Sequence, residues 1–208
     1  MLYAPLQSIA EKLSLEFDLI DENRKQVLAQ IAGFVQDRIA ANQKANLNFI
    51  CTHNSRRSHI SQLWAQAAAH YYSIENVNCF SGGTEATAFN PRSVKALREA
   101  GFKIDMTKEG GNPVYEVHYA ENAAPVIAFS KKYNDQFNPQ KDFAAIMTCS
   151  HADENCPLVV GASVRISTPF NDPKEFDGTP QEPFKYMESV HLIGREVLYA
   201  FSKVEFNS

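Results

Sequence analysis

The sequence predicts an α/β fold: a four-stranded parallel sheet with helices on both faces, an N-terminal helical extension and an inserted hairpin-like segment. Three observations carry this expectation. Short apolar runs alternate with segments of helical periodicity, the pattern of a parallel sheet with crossover helices. Pro91 and Gly101 bracket one helical segment in the usual order of proline at the start and glycine past the end. Cys51 ends one short strand-like segment and Cys149 follows just after another, at the strand ends where the reactive groups of such sheets gather.

Residues 5 to about 43 read as helix. Leu6, Ile9 and Leu13, then Val27, Leu28, Ile31, Phe34, Val35 and Ile39 recur near the 3.6 period, and Asp18 or Asp21 could cap a second helical segment. Asn46–Ile50 is a short strand ending at Cys51. Residues 58–72 are helical, with Ile60, Leu63, Trp64, Ala67 and Ala68 facing inward. Val77–Phe80 is a second strand, and Ser81-Gly82-Gly83-Thr84 reads as a turn. A third helix starts at Pro91. Within 103–141, Val114–Tyr119 and Val126–Phe129 suggest a hairpin and Asn134–Lys141 a polar loop. Phe143–Met147 has the length of a buried strand, and Ser163–Ser167 is another. The prolines and glycine of 168–182 make a loop, and Pro183–Ser202 forms the last helix. The chain therefore divides into a helical extension, 1–45, and an α/β domain, 46–208, with an insertion at 103–141.

Composition narrows the function. Of 208 residues, 44% are hydrophobic and 21% charged, with a net charge of −4, ordinary values for a globular protein. The absence of a basic stripe argues against nucleic acid or an anionic membrane surface as partner. No apolar run approaches a membrane span, and Met1-Leu2-Tyr3-Ala4-Pro5 lacks the charged start and apolar core of a signal peptide. A cytoplasmic location is expected. Four cysteines are too few for a disulfide scaffold, so they read as free or catalytic.

The segment that carries chemistry is Cys51-Thr52-His53-Asn54-Ser55-Arg56-Arg57-Ser58. A strand ends at Cys51 and a helix starts near Arg57. The loop between can aim its backbone N–H groups at one spot, an anion cradle reinforced by the positive end of the helix dipole. That field suits an anionic sulfur, the nucleophilic form of cysteine. Arg57 offers a planar fork of donors for a tetrahedral oxyanion, Ser58 can donate its hydroxyl to the sulfur, and Asn54 tolerates the left-handed backbone of a tight loop. A Cys-x5-Arg pattern alone is often accidental, and a buried cysteine before an ordinary turn is the bland alternative. The strand-to-helix setting and the following serine favour catalysis.

This segment resembles the phosphate-binding loop of the low-molecular-weight protein tyrosine phosphatases and the related thioredoxin-coupled arsenate reductases. Ser81-Gly82-Gly83-Thr84 resembles their second-strand turn and Asn90–Leu97 the start of their second helix. Asn171-Asp172-Pro173 resembles their Asp-Pro loop. The likeness covers about 46–102 and 143–202. It implies the low-molecular-weight phosphatase fold, Cys51 as nucleophile, Arg57 as oxyanion clamp, residues 52–58 as the oxyanion-binding loop, Asp172 as general acid, and no cofactor. The departing oxygen needs a proton, which a loop carboxylic acid can supply. Alone, Asp172 would read as turn chemistry before Pro173, and a loop carboxylate is expected to contribute little to packing. His53 stands where the family usually has glycine, and would narrow the pocket or add a donor. Arg56 stands where many members have a cysteine, and would add positive charge or point to solvent.

Cys149-Ser150-His151-Ala152-Asp153-Glu154-Asn155-Cys156-Pro157 resembles the redox segment of the arsenate reductases. That resemblance implies that Cys149 resolves an adduct on Cys51, that Cys156 resolves Cys149, and that thioredoxin reduces the final disulfide. A phosphatase acting on phosphate monoesters needs only Cys51, Arg57 and Asp172, and it remains the alternative. The expected substrate is thus a small oxyanion, arsenate or a phosphate monoester. Phosphatases of the family typically follow Asp-Pro with aromatics. Here Lys174 and Glu175 come first and Phe176 after them, which weakens the phosphotyrosine reading. Were 149–156 helical, the two Cα atoms would lie about 10.5 Å apart at a rise of about 1.5 Å per residue, and a disulfide allows at most about 7 Å. The segment is therefore expected to be a loop or to unwind on oxidation. Zinc is disfavoured, since Cys149, His151 and Cys156 supply only three ligands. A non-catalytic oxyanion or redox sensor is a weaker third reading. Cys79 reads as a packed core residue.

Overall fold

A computed structural model describes residues 1–155 and 158–205. Its elements run α1 (Ala4–Ser14), α2 (Glu22–Ala40), β1 (Ala45–Cys51), α3 (Arg57–Tyr71), β2 (Val77–Gly83), α4 (Pro91–Glu99), β3 (Lys103–Lys108), β4 (Val114–His118), β5 (Val126–Ala128), β6 (Phe143–Met147), α5 (Ser150–Asn155), β7 (Ala162–Ser167) and α6 (Glu182–Ser202). Short 3-10 turns occupy Phe17–Leu19 and Pro173–Phe176. Of the two candidate caps for α2, Asp21 does the work, its carboxylate accepting from the Arg24 N–H at 2.9 Å.

Four strands pair in the order β2-β1-β6-β7, all parallel. The predicted sheet is therefore present. Its alternation sorts side chains onto two faces. Leu47, Phe49, Ala144, Ile146 and Ile166 join the main core, which also holds Leu28, Ile31 and Val35 of α2, Trp64 of α3 and Ile193 of α6. Ile50, Phe143, Ala145 and Met147 form a smaller core on the other face with Cys51, Cys149 and Ala152. The helices of residues 1–45 thus pack into the same apolar core as the sheet. At the α3–α6 contact the Trp64 indole lies where a Cβ on Gly194 would be, within 3 Å, so the two helices approach closely only because residue 194 is glycine.

The insertion is a three-stranded antiparallel sheet, β3-β4-β5. The expected hairpin is β4 and β5. The additional strand, β3, turns only Ile104 fully inward, so its sequence carries little alternation. Ser81-Gly82-Gly83 also departs from expectation. These residues continue β2 rather than turn, with Gly83 paired to Cys51. Glycine is required there by close approach. A Cβ on Gly82 would meet the Tyr133 backbone, and one on Gly83 would meet the Thr52 carbonyl and the Asn54 amide nitrogen.

Candidate active site

β1 delivers Cys51 to the carboxyl end of the sheet, 3% exposed. The chain then bends through residues 52–56 before α3 begins at Arg57. The carbonyls of Cys51, Thr52 and Ser55 accept from the N–H groups of Thr84, Glu85 and Asn90. They therefore face away from the loop's concave side. Among the described residues, no backbone N–H from His53 to Arg56 has a protein acceptor. Such a row of free donors at a helix start is an anion cradle. Asn54 sits at φ 44°, the left-handed conformation expected of it.

Two side chains order the surroundings of the sulfur. The Ser58 hydroxyl lies 3.0 Å from Cys51 Sγ, and Asn54 Nδ2 donates to Ser58 Oγ at 2.9 Å. Accepting from Asn54 leaves the hydroxyl proton free to be donated to a thiolate at Cys51. Asn54 is held in turn by the Lys131 N–H, which donates to its Oδ1 at 2.9 Å.

Arg57 donates to the Phe170 carbonyl at 3.0 Å and meets Asp172 Oδ2 at 2.9 Å. Its Nε is buried with no partner, an unsatisfied donor of the kind an oxyanion would complete. Asp172 lies on the loop after β7 and accepts from Arg56 through both oxygens. Of the two expectations for the Arg56 side chain, pointing to solvent does not hold: it is 8% exposed and clamped on Asp172. Asp172 is correspondingly more embedded than a loop carboxylate was expected to be. Burial pushes its carboxyl upward, but the Arg56 hydrogen bond and the two guanidinium charges outweigh that and hold it below the ordinary carboxylate value.

The His53 imidazole faces Glu85, 3.5 Å away. Ser55 is buried and contributes backbone. Thr52 turns toward the neighbouring strand. Its hydroxyl lies 3.4 Å from Cys149 Sγ and 3.3 Å from His151 Nδ1.

Cys149 is fully buried, just past β6, and β6 pairs with β1 up to Ile50 and Met147. Thr148 closes the gap, its N–H and hydroxyl both donating to the Ile50 carbonyl. The segment beyond is helical over Ser150–Asn155, with the Ala152 N–H directed at Cys149 Sγ at 3.4 Å. Cys156 lies outside the described residues. Cys79 is a packed core thiol, pushed far up by burial.

Two supports were not visible in the sequence. Arg24 of α2 pairs with Glu196 at 2.7 Å, donates to the Pro169 carbonyl and lies over the Phe170 ring. The N-terminal helices thus brace the segment that leads to Asp172. The insertion supports the loop from the other side through Lys131 and through Ser130, whose hydroxyl donates to the His53 carbonyl.

Residues 46–169 match the family described as low molecular weight phosphotyrosine protein phosphatase, more than half of the chain. The chain belongs to the low molecular weight phosphotyrosine protein phosphatase family. Asp172 lies just beyond the matched stretch, and Cys51 to Cys149 lie within it. Among similar family proteins is an arsenate reductase of Bacillus licheniformis, 29% identical over 147 residues, 71% of this chain and 87% of that one. An arsenate reductase of Halalkalibacterium halodurans is 27% identical over 155 residues, 74% of this chain and 93% of that one. The low molecular weight phosphotyrosine phosphatase of Vibrio cholerae O395 superposes with a TM-score of 0.50 at 12% identity, covering 74% of this chain and 93% of that one, and shares the fold. Among the described residues no His/Cys/Asp/Glu cluster could hold a metal ion, and no helix is long and apolar enough to cross a membrane.

Proposed function

We propose that this family member reduces arsenate to arsenite, with thioredoxin as the final reductant. The observation that carries the reading is the Thr52 hydroxyl touching Cys149 Sγ. A second buried thiol thus stands beside the residue that follows Cys51. Hydrolysis of a phosphate monoester has no use for such a thiol. The relatives named arsenate reductase add support.

Arsenate enters the cradle of residues 52–58, where the free N–H groups and Arg57 take up its negative charge. The Cys51 thiolate attacks arsenic. An oxygen leaves as water, using a proton from Asp172, and a Cys51 S–As(V) bond forms. Asp172 must first gain that proton. Arsenate drawing Arg57 toward itself removes one of the charges that depress the carboxyl, and its own negative charge raises it further. The Cys149 thiolate then attacks Cys51 Sγ. The S–As bond breaks, its electron pair stays on arsenic, and arsenite departs as Cys51–Cys149 disulfide forms. Cys156 attacks Cys149 Sγ, and the Cys51 thiolate leaves. A thioredoxin dithiol reduces the Cys149–Cys156 disulfide and is itself oxidised. The last intramolecular step must bring the Cys149 and Cys156 Cα atoms within about 7 Å, and it is expected to unwind the Ser150–Asn155 helix between them.

A coupled assay with arsenate, thioredoxin and thioredoxin reductase tests the proposal. Arsenate-dependent turnover that requires Cys149 supports it. Hydrolysis of an aryl phosphate without any arsenate turnover overturns it in favour of the phosphatase reading, which the complete set of Cys51, Ser58, Arg57 and Asp172 also satisfies.

A further inference from the structure

A second cavity lies behind the oxyanion loop, between the free edge of β2, the side of α3 and the insertion sheet. Its volume is about 340 Å³, at the lower end of small-molecule sites. Phe80, Tyr119, Ile127, Phe129 and Phe137 give it apolar walls, and no acidic side chain lines it. Two of its lining groups are polar, nearly inaccessible and under-used. Lys131 is 5% exposed, yet among the described residues its ammonium has only the Phe129 carbonyl at 3.3 Å and the Phe129 ring at 4.5 Å. Gln62 is 3% exposed. Its amide nitrogen donates to the Cys79 carbonyl, but its Oε1 is buried with no partner.

A buried ammonium with no carboxylate at ion-pair distance and a buried acceptor without a donor are both costly. Together in one open cavity, they describe the complement they lack: an anion and a hydrogen-bond donor joined by an apolar body. We propose that this cavity binds a small aromatic carboxylate bearing a hydroxyl, its carboxylate on Lys131 and its hydroxyl on Gln62 Oε1, apart from the Cys51 site. Burial lowers the Lys131 ammonium to about 8, outweighing the upward pull of Asp135, and the same charge helps keep His59 neutral. A carboxylate in the cavity would relieve that stress on Lys131.

The probe is 4-hydroxyphenylacetate, titrated calorimetrically into the whole protein under saturating inorganic phosphate, which occupies the Cys51 cradle. Binding should persist in phosphate, weaken at least about tenfold in Lys131→Met, and weaken for neutral 4-ethylphenol and cationic tyramine. Ala124→Trp, on the exposed mouth of the cavity, should also weaken it, and it decides the matter should Lys131→Met not fold. Absence of binding, displacement by phosphate, equal affinity for 4-ethylphenol, or unchanged affinity in the folded variants would overturn the proposal.

Discussion

Arg56 grips Asp172 through both carboxylate oxygens, at 2.7 and 3.2 Å, in the same loop that carries the nucleophile. The pair holds the candidate acid ionised and fixed at the mouth of the cradle before substrate arrives. Asp172→Asn should therefore do two things. Turnover on a poor leaving group should fall roughly 10²- to 10⁴-fold. Stability should also fall, by about 1–2 kcal/mol, because Arg56 is left without its counter-charge. A thermal melt and a rate measurement separate the two effects.

Releasing the clamp should move the pH profile. A carboxyl depressed in the folded protein adds stability above its unfolded value, near 3.9, and that contribution is lost as pH falls through the folded value. Arg56→Met removes the largest of the lowering influences, so Asp172 should protonate at higher pH. The alkaline limb of kcat/KM, where the acid has lost its proton, should shift upward. An unmoved limb would mean that another group supplies the proton.

Cys51→Ser should abolish turnover while leaving the fold and phosphate binding intact, since the cradle is backbone and Arg57. Substantial residual activity would falsify the nucleophile assignment.

The redox cysteines predict an asymmetric pattern. Cys149→Ser should block arsenite release, and Cys156→Ser should allow one turnover and trap a Cys51–Cys149 disulfide, visible by mass spectrometry. Thr52→Val should slow arsenate turnover roughly fivefold, the worth of one hydrogen bond of about 1 kcal/mol, and spare aryl phosphate hydrolysis. Equal losses in both reactions would assign Thr52 to the cradle instead.

Arg24→Met tests the brace from α2. It should destabilise by about 2–3 kcal/mol, below the figure for a fully buried pair because Arg24 keeps some solvent. Glu196, raised mainly by burial and restrained by Arg24, would rise further. A raised carboxyl destabilises most where it is charged, so the deficit should be larger near neutral pH than near pH 4. A deficit that did not change with pH would point to lost packing on Phe170.

The sheet was legible because β1 and β6 are short, strongly buried segments, β6 an unbroken apolar run, with Cys51 ending the first and Cys149 two residues past the second. The cradle was legible because its chemistry lies within eight consecutive residues. What escaped was long-range. Nothing local tells Arg56 to face Asp172, 116 positions away, or Arg24 to reach Pro169. Gly82-Gly83 read as a turn because two glycines usually punctuate, whereas here they admit the backbones of Tyr133 and the nucleophile loop. β3 escaped because a strand with one inward residue leaves no period to detect.

The backbone of the insertion is sewn to the nucleophile loop and to the end of β2 beside it: Lys131 N–H to Asn54 Oδ1, Gly83 N–H to the Lys131 carbonyl, and Tyr133 N–H to the Gly83 carbonyl, each at 2.9 Å. It is therefore not a detachable module. A chimera that spliced a shorter relative's connection across 103–141 would strip Asn54 of its tether and, through Asn54, loosen the serine that faces the sulfur. Anyone transplanting this loop into another scaffold would have to carry residues 130–133 with it, so loop and insertion are expected to be inherited and redesigned as one piece.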